Sequence, residues 1–105
     1  MGFDTAIKVD SVQVSSKLRK MQGGYAHWCP ACESMHCLPD SWNFVNKDLE
    51  NPTFTPSFLH TLSNSPRKVC HYILTNGILN FCGDCSHGLA GKPVPLPELP
   101  DFLKD

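Results

Sequence analysis

Two Cys-x-x-Cys pairs constrain this chain more than anything else in it. Cys29-Pro30-Ala31-Cys32 and Cys82-Gly83-Asp84-Cys85 have the spacing that lets two thiolates turn toward one tetrahedral ion. A closed site of that kind suits zinc better than an iron–sulfur cluster. The alternative use of the 6 cysteines is disulfide bonding in an exported protein. The opening Met1-Gly2-Phe3-Asp4-Thr5-Ala6 has no basic start running into an apolar stretch, and no hydroxyl residue at the myristoylation position. The expectation is therefore a cytoplasmic chain whose thiols are reduced and hold Zn2+. Which residues complete the quartet stays open at this level. Cys70 competes with Cys82 for a place, and Cys37, alone, reads as a small buried hydrophobe.

Charge and missing motifs exclude several function classes. Lys plus Arg total 9 against 10 Asp plus Glu, a formal charge of -1. A general nucleic-acid binder needs a surplus of cations for its phosphate contacts. Lys17, Arg19, Lys20, Arg67 and Lys68 offer at most a small basic patch, so a nucleic-acid-binding zinc ribbon is disfavoured. No apolar run approaches the ~18–20 residues that span a bilayer, so no membrane partner is expected. The H-x-E of zinc deaminases, the H-E-x-x-H of zincins and a Gly-rich phosphate loop are all absent. A redox role for Cys29 and Cys32 would need a thioredoxin-like βαβ setting that the pattern lacks.

The pattern predicts a mainly β fold: a small zinc-stabilised single domain over residues 1–105, with short strands and a C-terminal β-hairpin. Residues 1–22 read as N-terminal strands and loop, with strands at Ala6–Val9 and Val12–Val14 and a polar loop over Ser15–Lys20. Tyr25–Trp28 and Trp42–Val45 are further strand candidates. Thr53–Phe58 alternates, but Pro52 and Pro56 suit an edge strand or extended loop. The firmest element is Cys70–Thr75, Asn76-Gly77, Ile78–Cys82. Asn-Gly between apolar runs signals a two-residue turn. That turn sets Thr75 opposite Ile78, Leu74 opposite Leu79, Ile73 opposite Asn80, Tyr72 opposite Phe81 and His71 opposite Cys82. Tyr72, Leu74, Leu79 and Phe81 then share the core face, while His71 and Cys82 are neighbours on the other. Residues 92–105 read as a C-terminal strap, whose Pro-spaced run Lys92–Pro100 cannot be helical and should lie extended along the surface.

His36, His71 and His87, with Asp84, supply groups for an acid–base site beside the metal; His27 and His60 read as ordinary surface or core residues. Trp28-Cys29-Pro30-Ala31-Cys32, His36, Trp42, Pro52-Thr53-Phe54-Thr55-Pro56-Ser57, Cys70-His71, Gly77 and Asp84-Cys85-Ser86-His87-Gly88-Leu89-Ala90-Gly91 resemble a family of small phage and prophage proteins often labelled ammonia monooxygenase. The same arrangement is distantly similar to BubE-type proteins of bacterial ubiquitin-like conjugation systems, which are viewed as peptidases. That similarity implies a nucleophilic role for Ser57, a base at His71, and Zn2+ ligands at Cys29, Cys32 and Cys70. Cys82 replaces an aliphatic residue of the phage relatives, which favours Cys85 as the fourth ligand. The Asp84–His87 segment has no counterpart in the BubE pattern, so the base stays open between His71 and His87, with Asp84 to orient whichever acts.

Two functions follow as expectations. One is a serine-type peptidase, with a structural zinc, acting on the tail of a ubiquitin-like or other protein bound beside Thr53–Phe58. The other is a non-enzymatic zinc-binding module that works by protein contact.

Overall fold

Nine short strands among the described residues form two antiparallel sheets, each a simple meander. The structure is a computed structural model and describes residues 2–62 and 68–105. The first sheet contains β1 (Ser11–Gln13), β2 (Leu18–Met21), β3 (Gly24–Cys29) and β4 (Ser34–Pro39), in that order. The second contains β5 (Asn43–Phe44), β6 (Phe54–Leu62), β7 (Lys68–Thr75), β8 (Ile78–Phe81) and β9 (Pro93–Pro95), again in chain order.

The sheets share one core. Leu18, Cys29 and Leu38 from the first meet Phe54, Cys70, Tyr72, Leu74, Leu79 and Phe81 from the second. Strict alternation along β7 produces this: Cys70, Tyr72 and Leu74 are buried, while Ile73 and Thr75 are exposed and His71 is half-buried. The hairpin has the register that Asn-Gly predicts, from Thr75 opposite Ile78 to Tyr72 opposite Phe81. Asn76 and Gly77 both take positive φ, 49° and 76°. Cys82 continues the ladder, donating its N–H to the His71 carbonyl at 2.8 Å.

Proline did not keep β6 at an edge. It lies between β5 and β7, and the ladder to β7 is irregular between Phe54 and Phe58, around Pro56. At the C-terminus β9 pairs with β8, Leu96, Leu99 and Leu103 are buried, and Asp101–Leu103 forms one 3-10 turn.

The N-terminus corrects the sequence reading. Gly2–Val9 is a helix, not a strand, and Ile7 packs with Ala26, Met35, Leu99 and Leu103. Four alternating residues carry too little periodicity to choose between the two. Residues expected in a polar loop form β2, and Arg19 is wholly buried there. Its guanidinium is satisfied by Ser11 Oγ at 2.7 Å, the Leu103 carbonyl at 2.7 Å, the Ser11 carbonyl at 2.9 Å and Asp105 at 2.8 Å. Arg19 is thus a structural tie between the two ends of the chain and unavailable to a basic patch. Lys20 faces Asp40 at 3.4 Å, and Arg67 lies outside the described residues.

Candidate active site and metal centre

The outer face of the second sheet carries Ser57, His71 and Asp84 together. Ser57 sits in the irregular stretch of β6, just before regular pairing resumes at Phe58 opposite Tyr72. His71 Nε2 lies 3.2 Å from Ser57 Oγ. His71 Nδ1 lies 3.1 Å from both oxygens of Asp84. An ionised carboxylate can only accept, so the imidazole proton belongs on Nδ1 and Nε2 is left to accept from the serine hydroxyl.

The turn after β8 delivers Asp84. Cys85 donates its N–H to the Cys82 carbonyl at 3.3 Å. Ser86 donates its N–H to Val69 and accepts the Val69 N–H on Oγ, at 3.0 and 2.8 Å. The Cys85 thiol accepts the His71 N–H at 3.3 Å and donates to the His71 carbonyl at 3.1 Å. Cys85 therefore buttresses the backbone of His71. His87 is engaged elsewhere: its Nδ1 accepts the Leu89 N–H at 3.2 Å, and its ring stands edge to face on Phe81. The imidazole that reaches Ser57 is that of His71.

A serine hydroxyl is a poor nucleophile until a base within hydrogen-bond reach takes its proton. The Ser57–His71–Asp84 arrangement meets that geometric condition. His71 is 25% exposed and Asp84 60%, so the pair opens to solvent rather than lying in a closed interior.

The inner face of the same strand contributes to a different cluster. Cys70 precedes His71 and points the opposite way. Cys29, Cys32, His36 and Cys70 bring one ligand atom each within 4.8 Å of one another. Cys29 and Cys70 Sγ are 3.9 Å apart. Metal–sulfur bonds of about 2.3 Å in a tetrahedron set thiolates about 3.8 Å apart, so the spacing fits an ion. The Cys29–Cys32 turn is closed by the Glu33 N–H on the Cys29 carbonyl at 2.8 Å, with Glu33 at φ 52°. Hydrogen bonds from Cys32 and then Cys70 pull the Cys29 thiol far below its ordinary range, toward thiolate.

The cluster departs from the expected quartet at one member. His36, not Cys85, stands with the three thiols. Cys85 is spent on the His71 backbone. The missed signal is a hairpin signal: if Cys29–Cys32 caps a β-hairpin, position 36 falls on the same face as Cys29. The structure has that register, with His27 opposite His36 and Cys29 opposite Ser34.

His27, read from sequence as ordinary, fixes the tautomer of His36. Its Nδ1 lies 3.1 Å from the Trp28 carbonyl, an acceptor, so Nδ1 holds the proton. Its Nε2, 2.5 Å from Tyr72 Oη, must accept from the phenol. The phenol oxygen then accepts from His36 Nδ1 at 3.1 Å. His36 Nε2 is left unprotonated, the form that a metal takes. Burial holds both imidazoles neutral, lowering His36 to about 4. Burial likewise keeps the Tyr72 phenol protonated. Cys37, half-buried, contacts Met21 Sδ at 3.6 Å. All 6 cysteines are free of disulfides.

A family model described as the bacterial ubiquitination-like system serine protease (BubE) matches residues 3–82. No curated protein and no solved structure matches. The matched span contains Ser57, His71 and the Cys29, Cys32, His36 and Cys70 cluster, and ends before Asp84. It supports the ubiquitin-like half of the sequence resemblance and lends nothing to the phage half or to the monooxygenase label.

Proposed function

This chain belongs to the family of bacterial ubiquitination-like system serine proteases, and from that premise we propose that it is a serine-type peptidase cleaving after the C-terminal tail of a ubiquitin-like protein. The observation that carries the reading is the unbroken hydrogen-bonded path from Ser57 through His71 to Asp84.

In this mechanism Ser57 Oγ attacks the scissile carbonyl as its proton passes to His71 Nε2. The imidazolium that forms is stabilised by Asp84, which remains ionised. Collapse of the tetrahedral adduct expels the amine, which takes the proton from Nε2. Water then repeats the sequence against the acyl-enzyme, with His71 again as base and then acid. Leu59, opposite His71, and Ile73 expose apolar surface on this face of the sheet. They give an extended substrate tail something to rest on beside the nucleophile.

Cys29, Cys32, His36 and Cys70 would hold Zn2+, whose tetrahedral preference and affinity for thiolate and imidazole suit this donor set. Bound there, the ion supplies structure, tying β3 and β4 of one sheet to β7 of the other. It contributes ~10–16 kcal/mol in small zinc domains, comparable to the whole net stability of ~5–15 kcal/mol. A bacterial cytoplasm, where thiols stay reduced, suits such a centre.

The test is cleavage of a ubiquitin-like protein fused at its C-terminus to a reporter. Wild type releases the reporter, and Ser57→Ala, with its fold and metal content intact, does not. Equal cleavage by the variant removes Ser57 from the role. A chain that binds the fusion without ever cutting it is the non-enzymatic interaction module instead.

A further inference from the structure

The face that carries Ser57 holds a second set of metal-binding groups. His71, Cys82 and Asp84 each place one ligand atom within 4.8 Å of the others. The hairpin makes this so: Cys82 extends the β7–β8 ladder beside His71, linked by its N–H to the His71 carbonyl at 2.8 Å. Asp84, two residues on, returns over the same imidazole at 3.1 Å. Cys82 is half-exposed and has no part in the proton path. The geometry points to an inhibitory site for a thiophilic divalent cation such as Zn2+, built from His71, Cys82 and Asp84 and distinct from the buried cluster.

The donor set selects the class of ion. One thiolate, one imidazole and one carboxylate are the ligands of zinc-like metals, whereas Mg2+ and Ca2+ take oxygen donors. A thiolate and a carboxylate also neutralise a divalent charge. Three protein ligands on an outward face leave the fourth position to water, so the ion can enter and leave.

Binding switches off the base whichever ring nitrogen is used. Cys82 gives up its thiol proton to solvent as the metal–sulfur bond forms. If the ion takes Nδ1, the single imidazole proton moves to Nε2, which can no longer accept from Ser57. If it takes Nε2, the lone pair is occupied outright. In both cases Asp84 turns from orienting the imidazole to ligating the metal. The ion site stands on the residues alone; that it inhibits rests on the peptidase reading.

The test is titration with Co2+ of full-length wild type, Cys82→Ala, His71→Ala and Ser57→Ala, read by thiolate-to-cobalt absorption. Wild type and Ser57→Ala should show a binding event that Cys82→Ala and His71→Ala both lack. Identical titrations in wild type and Cys82→Ala overturn the site. Loss in Cys82→Ala but not in His71→Ala also overturns it, since that is a lone surface thiolate. In parallel, micromolar Zn2+ should suppress reporter release at least 10-fold in wild type and leave Cys82→Ala unaffected. Cobalt binding as expected, with no cleavage by any variant, sinks the peptidase reading and leaves the site standing. Cleavage that Zn2+ does not touch sinks the inhibition.

Discussion

Tyr72 and His36 lie side by side between the two sheets, their ring planes 6° from parallel, with the phenol oxygen 3.1 Å from Nδ1. One hydroxyl thus satisfies two buried imidazoles, because it also donates to His27. Tyr72→Phe keeps the packing and orphans both nitrogens. Each unsatisfied buried group costs ~1–3 kcal/mol, so denaturant unfolding should show a loss in that range or above. Metal affinity should fall about 10–100-fold as His36 loses its orientation. A variant as stable as wild type would mean water replaces the phenol.

Metal content separates a centre completed by His36 from one completed by Cys85. Cys29→Ser and His36→Ala should purify with little or no ion, and Cys85→Ser with as much as wild type. Chelation of wild type should unfold it, because ligation and folding are one process in small metal domains. Elemental analysis of each variant, with circular dichroism after chelation, checks both statements.

Asp84→Asn should lower kcat by ~10²–10⁴-fold with little change in KM, because the amide no longer fixes the proton on Nδ1. The lower part of that range is expected, since Asp84 is 60% exposed and water screens its contact with His71. Steady-state kinetics of reporter release measures it. The unfolding midpoint should hardly move, which distinguishes the loss from damage to the fold.

Gly77→Ala tests the hairpin. Gly77 sits at φ 76°, and an added Cβ would lie 2.9 Å from the Asn51 Cα, a backbone atom that cannot swing away. Left-handed strain in a residue with a side chain costs ~1–3 kcal/mol, and the close approach adds to it. Equilibrium unfolding should show at least that loss. Asn51→Gly in the same background should restore only the Asn51 side-chain part of it.

Acid should destabilise the protein between about 6.5 and about 4, the ordinary and the buried positions of His36. Its folded value is depressed, so the unfolded chain binds the proton first. The contribution of the neutral imidazole is full above 6.5 and is lost as pH falls through 4. His27, lowered by burial too, adds in the same direction. A bound ion sharpens this trend, because it also requires neutral imidazole. Urea midpoints at pH 7, 5 and 4 check the sign; a midpoint that rises on acidification contradicts it.

The parts of the fold legible in the sequence were those fixed by local stereochemistry. Asn76-Gly77 admits few turns, and the turn determined the pairing of Thr75, Leu74, Ile73 and Tyr72 with no further information. The neighbouring placement of His71 and Cys82 followed from the same register. Nothing local distinguishes Ser57 from a turn serine; only the family resemblance marks it. Asp84 meets His71 through backbone bonds from Cys85 and Ser86 that no spacing rule encodes. His36 joins the thiols through the register of the β3–β4 hairpin, whose turn carries no Asn-Gly to announce it. Arg19 was misread because its partners come from both ends of the chain.

Cys70 and His71 are consecutive on β7, one turned toward the thiol cluster and the other toward Ser57. Slippage of that strand by a single step would exchange them, sending the imidazole inward and the sulfur out. Ligation in the interior would make such slippage costly, so an ion held by Cys29, Cys32, His36 and Cys70 would act as a stop. The hydrolysis proposed for the wet side would then depend on a bond that never meets the substrate.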